Sequence, residues 1–213
     1  MKCVVSVNAA LGETAISFES NCHTDTLPLI KQVLFRRQPV NTASQSFALA
    51  MAILAADYCG DYFEVANLAI GSDYADAIRQ VLGKHINLNP TNPMHRSLAT
   101  HEVEVACGRA DQIRRFTAMT ADQRAVPLST VTWSADFVDP ETRTSHNNQI
   151  GTYFTNATLM TDATSVSVAV ALMHGEDHAG RIYVPRPSGT LGKRHGMLVD
   201  ALQAVAISLH FTA

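Results

Sequence analysis

The sequence has little of what would assign it to a familiar class of protein. Only 16% of its 213 residues are charged and its net charge is −3, so it lacks the strongly basic composition of dedicated nucleic-acid-binding domains. Its longest apolar run, Phe47 to Ala56, is far shorter than the roughly 20 residues that a membrane span needs. The first 20 residues alternate and carry two glutamates, which argues against a signal or transit peptide. We therefore expect a soluble, cytoplasmic protein that binds neither membranes nor nucleic acid.

Cysteine is also scarce, and its spacing indicates neither a metal site nor a redox motif. The four cysteines lie far apart and form no CxxC pair. A chain of this length can bury a core without crosslinks, and disulfide frameworks are typical of small secreted domains. We expect all four thiols to be free.

The N-terminal third predicts a hairpin followed by a buried helix. Residues 3–7 and 14–18 alternate between apolar and polar side chains around a turn, which is a hairpin signal. The run Phe47 to Ala56 is apolar on every helical face, as in a helix at the centre of a core. Thr42 and Gln45 have the spacing of a capping box and predict where this helix begins.

The remainder of the chain predicts mostly sheet. A polar connection at 83–93 holds the one weak internal boundary, and no internal repeat is visible. Residues 196–210 have helical periodicity and predict a C-terminal helix packed on the sheet. Short turns separate four strand-like segments, which predicts an antiparallel meander: 130–138, 150–160, 165–173 and 181–184. The expected fold is a single α+β domain over 1–213, with a mixed or antiparallel sheet, the meander, a buried central helix and the C-terminal helix.

The best candidate for chemistry is RIYVPRPSGTLGKRHG at 181–196, which predicts a strand, a glycine-bearing loop and a helix start. Free N–H groups and the helix dipole make such a position suitable for an anion, and the basic side chains add charge. It is not a Walker A loop, because Pro187 and Arg194 stand where that motif needs glycine and serine or threonine. The alternative is a solvated basic loop whose glycines serve only as caps. The predicted ligand-binding residues are Arg186, Gly189, Gly192, Lys193, Arg194 and His195.

The segment HGEDH at 174–178 offers two imidazoles and two carboxylates within five residues. These are possible ligands for a divalent ion. The glycine and the flanking segments place the motif in a turn, where the spacing does not fix the ring directions. We therefore interpret it as a polar turn and predict no metal site.

Two functions of different classes follow from these patterns. The first is a small cytoplasmic enzyme or ligand-binding protein that acts on an anionic, phosphorylated small molecule at the basic loop. The second is a non-catalytic subunit of a larger oligomer, with the β-meander as its interface. The first rests on the loop, and the second on the absence of a recognisable catalytic motif. The sequence indicates no particular cofactor.

Overall fold

Strands with alternating burial build the first part of a large mixed sheet. The structure, a computed structural model, describes residues 1–36, 40–83, 88, 90–91, 101–107, 128–135, 150–174, 179–187 and 192–212. The strands are β1 (Lys2–Asn8), β2 (Glu13–Glu19), β3 (Gln32–Arg36), β4 (Glu64–Val65), β5 (Ile70–Gly71), β6 (Pro90–Thr91), β7 (His101–Cys107), β8 (Leu128–Ser134), β9 (Ile150–Thr155), β10 (Ala179–Pro185) and β11 (Ser208–Thr212). The helices are α1 (Gln45–Ala55), α2 (Ser72–Leu82), α3 (Ala163–His174) and α4 (Lys193–Ala204), and short 3₁₀ turns occupy Ala9–Leu11 and Ala157–Leu159.

Nine strands form one sheet in the order β11-β10-β7-β8-β9-β3-β2-β1-β4, and β5 pairs with β6 separately. The predicted hairpin is confirmed, since β1 and β2 pair antiparallel over their full lengths. The strands from β7 to β11 run parallel to one another, and β9 meets β3 antiparallel. The α+β class and the mixed sheet are therefore as expected. The sheet includes strands from both sides of the weak boundary at 83–93.

The central helix is confirmed, but its start differs from the prediction. All eleven residues of α1 are buried. Ser44 rather than Thr42 is the N-cap, and its hydroxyl accepts a hydrogen bond from the N–H of Phe47 at 3.1 Å. Gln45 does not complete a capping box, because its side-chain amide spans to the backbone of Ala69 and Gly71 instead. A tertiary contact thus replaces the local one.

The four-strand meander is wrong, because residues 165–173 form most of α3 and the neighbouring strands pair in parallel. The alternation of serine and valine there imitates a strand, but a helix buried on every side has no amphipathic period to reveal it. Asp162 begins the helix by accepting the N–H of Ser165 at 3.0 Å. Small residues on α3 allow close packing against α1, which is rich in alanine.

The predicted C-terminal helix is shorter than expected and begins earlier. It spans Lys193–Ala204 and contacts both α2 and the last strand. The chain then turns through Ala206, whose φ is +61°, and continues as β11. No helix in the described part of the chain has the length and apolar composition needed to cross a membrane.

The topology contains a repeat that the sequence does not show. In the first half, β1 lies between β2 and β4, and β4 is the strand that follows α1. In the second half, β7 lies between β8 and β10, and β10 is the strand that follows α3. Each half then adds a helix between two parallel strands, α2 between β5 and β6, and α4 between β10 and β11. The halves meet where β3 pairs with β9 and where α1 contacts α3. The halves differ in two ways. β8 is parallel to its neighbours whereas its counterpart β2 is antiparallel, and β10 and β11 belong to the nine-stranded sheet whereas β5 and β6 pair separately.

Strand directions decide which helix ends come together. Because β9 and β10 are parallel, α3 and α4 both begin at the carboxyl edge of the second half. Because β3 is antiparallel to β9, α1 begins at the opposite edge and ends near the starts of α3 and α4. Three helix termini therefore meet at one edge of the sheet.

Candidate anion-binding site

The basic loop predicted from sequence leads from the carboxyl end of β10 into the first turn of α4. Arg186 follows β10, and its N–H donates to the carbonyl of Thr212 at 3.0 Å. Lys193 is the first residue of α4, and both cationic side chains are exposed. Gly189 lies outside the described residues. The predicted strand and helix start thus lie on either side of residues 188–191, which are outside the described ranges.

Near this loop, the strands of the second half lie on both sides of β7 in the sheet. From β7 the chain adds β8 and β9 on one side, and after α3 it adds β10 and β11 on the other. Between β7 and β10 the sheet therefore has a topological switch point. In open α/β sheets, the crevice outside the carboxyl ends of the strands at such a point is where ligands bind.

Arg194, which the sequence predicts as a ligand-binding residue, contacts acidic and polar groups at this edge. Its Nη1 donates to Oδ2 of Asp57 at 2.6 Å, and its Nη2 donates to Oγ1 of Thr161 at 2.6 Å and to the carbonyl of Ile53 at 3.4 Å. Its Nε lies 3.5 Å from Oδ2 of Asp162. The guanidinium thus joins the end of α1, the start of α3 and the start of α4. Two carboxylates compensate its charge, and its hydrogen bonds connect the first turn of α4 to the other two helix ends.

Asp162 is held in its ionised form at this junction. Partial burial alone would raise its pKa, but hydrogen bonds from the N–H and hydroxyl of Ser165, together with the charge of Arg194, lower the pKa below its usual value. The two hydrogen bonds from Ser165 measure 3.0 and 2.7 Å. An ionised carboxylate at the start of α3 also interacts favourably with the helix dipole.

The side chain of His195 caps the first turn of its own helix, α4. Its Nδ1 accepts the N–H of Gly192 at 3.1 Å, and its ring packs edge-to-face on Phe211 with centroids 6.1 Å apart. Since a neutral imidazole has one donor and one acceptor nitrogen, Nε2 carries the proton. Nε2 is buried and has no acceptor among the described residues.

The glycines at the start of α4 lie in open space. A Cβ added at Gly192 or Gly196 would have no heavy atom of another residue within 4 Å. The N–H groups of His195 and Gly196 both bond to the carbonyl of Gly192, at 3.0 and 3.4 Å. Among the described residues, the amides of Lys193 and Arg194 have no acceptor, as expected for the first amides of a helix.

Comparison with known proteins finds no relative. No family model, no characterised protein and no solved structure matches this chain. The function must therefore be inferred from the site itself.

The second motif, HGEDH at 174–178, lies mostly outside the described residues. His174 is the last residue of α3, where the sequence predicted a turn between strands, and residues 175–178 lie outside the described residues. Within the described ranges, no three histidine, cysteine or acidic side chains come together in a way that could hold a metal ion.

Sequence reasoning missed the acidic partners of Arg194. Asp162 had a detectable signal, because an aspartate three residues before a serine suits a helix N-cap. Asp57 had none, since it lies 137 residues away along the chain and only the antiparallel junction of the two halves brings it to Arg194.

Proposed function

We propose that this chain binds an anionic, phosphorylated small molecule at the carboxyl edge of its second half. The observation that carries the proposal is the position of α4, whose first turn follows β10 beside the switch point between β7 and β10. A phosphate there would meet the positive end of the helix dipole and the outward amides of Lys193 and Arg194. Arg186 and Lys193, both exposed, would supply the cationic contacts.

The roles within this site differ from residue to residue. Lys193 and Arg186 are proposed to contact the ligand, whereas Arg194 would hold the first turn of α4 in place through Asp57 and Asp162. His195 would keep Gly192 in the conformation that begins the helix. The proposal covers binding, and an enzymatic step at this site would need further groups.

The alternative function is that of a non-catalytic subunit in a larger assembly. It would need an interface other than the predicted meander, because α3 occupies the place of one of its strands. We favour the anion site because α4 begins after β10 beside a topological switch point, and because exposed Arg186 follows the strand while exposed Lys193 begins the helix.

Ligand-dependent thermal stability tests the proposal, with inorganic phosphate, pyrophosphate and a nucleoside triphosphate as separate probes. A ligand at about 100 times its Kd stabilises the folded state by about 2.7 kcal/mol, so the melting temperature should rise measurably. Added salt should weaken the effect, because part of the attraction is long-range. The double variant R186A/K193A should lose the response and keep its unliganded melting temperature, since exposed charges contribute little to stability.

A matched control is Lys31→Ala, which removes an exposed lysine in the first half of the chain. This variant should respond to the probes as the parent does. If none of the three probes shifts the melting temperature, or if the double variant responds like the parent, the basic loop is only a solvated turn and the proposal is wrong.

A further inference from the structure

The last strand of the sheet presents an edge without the usual protection. Among the described strands, β11 lies at one end of the sheet and pairs only with β10. Exposed edges are normally blocked by charged residues, proline or a bulge. The sequence of β11, SLHFT, has no proline and no residue of fixed charge, and its pairing with β10 is continuous over all five residues. Within the described ranges, no other segment forms a backbone hydrogen bond to this edge.

The hydrogen bonds to β10 show which backbone groups of β11 point outward. In a parallel pair, alternate residues direct both N–H and C=O to the same neighbour. The carbonyl of Thr212 accepts the N–H of Arg186, so Thr212, and with it His210 and Ser208, faces β10. The N–H and C=O groups of Leu209 and Phe211 therefore point away from the sheet. Two residues thus offer four hydrogen-bonding groups at the edge.

We propose that β11 is a dimerisation strand that pairs antiparallel with β11 of a second copy, about a two-fold axis at His210. In this register, Leu209 faces Phe211 of the second copy as a hydrogen-bonded pair, and the outward groups of both strands are satisfied. Each His210 faces the other as a non-hydrogen-bonded pair, in which side chains lie closest. The two nine-stranded sheets would become one.

The side chains of β11 favour a second copy as the occupant. About the two-fold axis, leucine faces phenylalanine on the helix side of the sheet, while serine faces threonine on the other side. Every residue therefore meets one of its own chemical class. Phe211 is only half-buried in the single chain, so the second copy would cover apolar surface. The two-fold axis also closes the assembly at two copies and prevents growth into a fibre.

Substitutions at His210 can test the proposed register, because its side chain is exposed and lies away from the core. Its ring stacks on Tyr183 of β10 at 5.1 Å, on the face opposite Leu209. Replacing it leaves the buried residues of the strand in place. A change at position 210 should therefore affect the dimer far more than the fold.

Light scattering after size-exclusion chromatography, over a range of concentrations, tests the proposal. The parent should shift with concentration from one to two chain masses. H210K and H210E each place like charges directly opposite one another, and each should raise the dimer Kd about five- to tenfold. An equimolar mixture of the two should recover the parent's dimerisation, because lysine then faces glutamate.

Ser208→Lys is the matched control on the same exposed face. In the proposed register each Lys faces Thr212, about 13 Å along the strand from its own counterpart, so dimerisation should persist. Melting temperatures near that of the parent would show that each variant is folded. A parent that stays monomeric at every concentration overturns the proposal. So does a mixture of H210K and H210E that fails to recover dimers, or an S208K variant as impaired as H210K.

Discussion

The guanidinium of Arg194 lies 2.6 Å from the carboxylate of Asp57, although 137 residues separate them in the chain. The contact joins a residue at the end of a helix in the first half to the first turn of a helix in the second. It exists because β3 and β9 pair antiparallel, which brings the end of α1 to the starts of α3 and α4. The relation between the two halves is thus fixed at the same edge as the candidate anion site.

Arg194→Ala should destabilise the protein, whereas Lys193→Ala should be close to neutral. Removing Arg194 breaks hydrogen bonds to Asp57 and Thr161, and because its side chain is partly exposed the loss should be about 1–2 kcal/mol. Lys193 is exposed, and its loss should stay within about 0.5 kcal/mol. Urea unfolding of both variants measures the difference. Equal stabilities would contradict the positioning role of Arg194.

Alanine substitutions at Gly60 and Gly196 should change the free energy of unfolding in opposite directions. A Cβ at Gly60 would overlap Oγ1 of Thr24 and lie 2.9 Å from the backbone nitrogen of Asp25, so Gly60→Ala should cost about 1–3 kcal/mol. Gly196 lies within α4 in open space, and Gly196→Ala should stabilise by about 0.5–1 kcal/mol. Thermal or urea unfolding compares them. A neutral Gly60→Ala would show that the loop at Thr24 can move aside at no cost.

Asp25 joins the loop after β2 to the loop after α1. Its side chain is fully buried and accepts hydrogen bonds from the α-ammonium group of Met1 and from the N–H groups of Asn21, Cys22 and Gly60. Burial alone would raise its pKa, but the bonds from the ammonium group, Asn21 and Gly60 outweigh it and hold the pKa well below its usual value. The ionised form is therefore favoured in the folded state.

Asp25→Asn should lower stability at neutral pH and flatten the acid side of the stability profile. A carboxyl whose pKa is lower in the folded state stabilises above its unfolded pKa, and the contribution is lost as the pH falls through the folded pKa. The parent should therefore exceed the variant by about 2–3 kcal/mol at pH 7, and the gap should narrow below about pH 4. Urea unfolding from pH 7 to pH 2 measures it. A gap independent of pH would contradict the ionised role.

The four cysteines should be free and should differ in reactivity. None of the four forms a disulfide, and Cys3 and Cys59 are buried. Burial raises the pKa of Cys3, whereas a hydrogen bond with the Thr24 hydroxyl, 3.1 Å away, lowers the pKa of Cys22. Since the thiolate is the reactive form, iodoacetamide should label Cys22 well before Cys3.

Mass mapping of the labelled native protein measures this order, and titration of the denatured, unreduced protein should find all four thiols. Thr24→Val should slow the labelling of Cys22, because it removes the hydrogen bond. Cys3 provides the internal control, since its rate should not change. Faster labelling of Cys3 than of Cys22 would contradict the assignment.

Sequence patterns were reliable wherever one local signal decided the structure. Alternation along residues 3–7 and 14–18 identified the first hairpin, and the unbroken apolar run from Phe47 identified a buried helix. The local sequence also predicted that a strand and a basic segment precede a helix that begins near Lys193. In these segments, side-chain period and composition act on the backbone without distant partners.

Only the tertiary structure decided the rest. The alternation of residues 165–173 predicted a strand, yet they form a helix that packs on α1 and the sheet, and its burial on every side leaves no amphipathic period to indicate it. The sequence predicted Arg194 as a ligand-binding cation, whereas the structure shows that the carboxylates of Asp57 and Asp162 compensate its charge. The topological repeat has no sequence period, because strand order and helix placement depend on pairing between distant segments rather than on residue identity. The sequence by itself determined the hairpin, the buried helix and the basic helix start, since these need only neighbouring residues. Packing between the two halves determined which charges remain exposed, since a charge is compensated only by the groups that the fold brings to it.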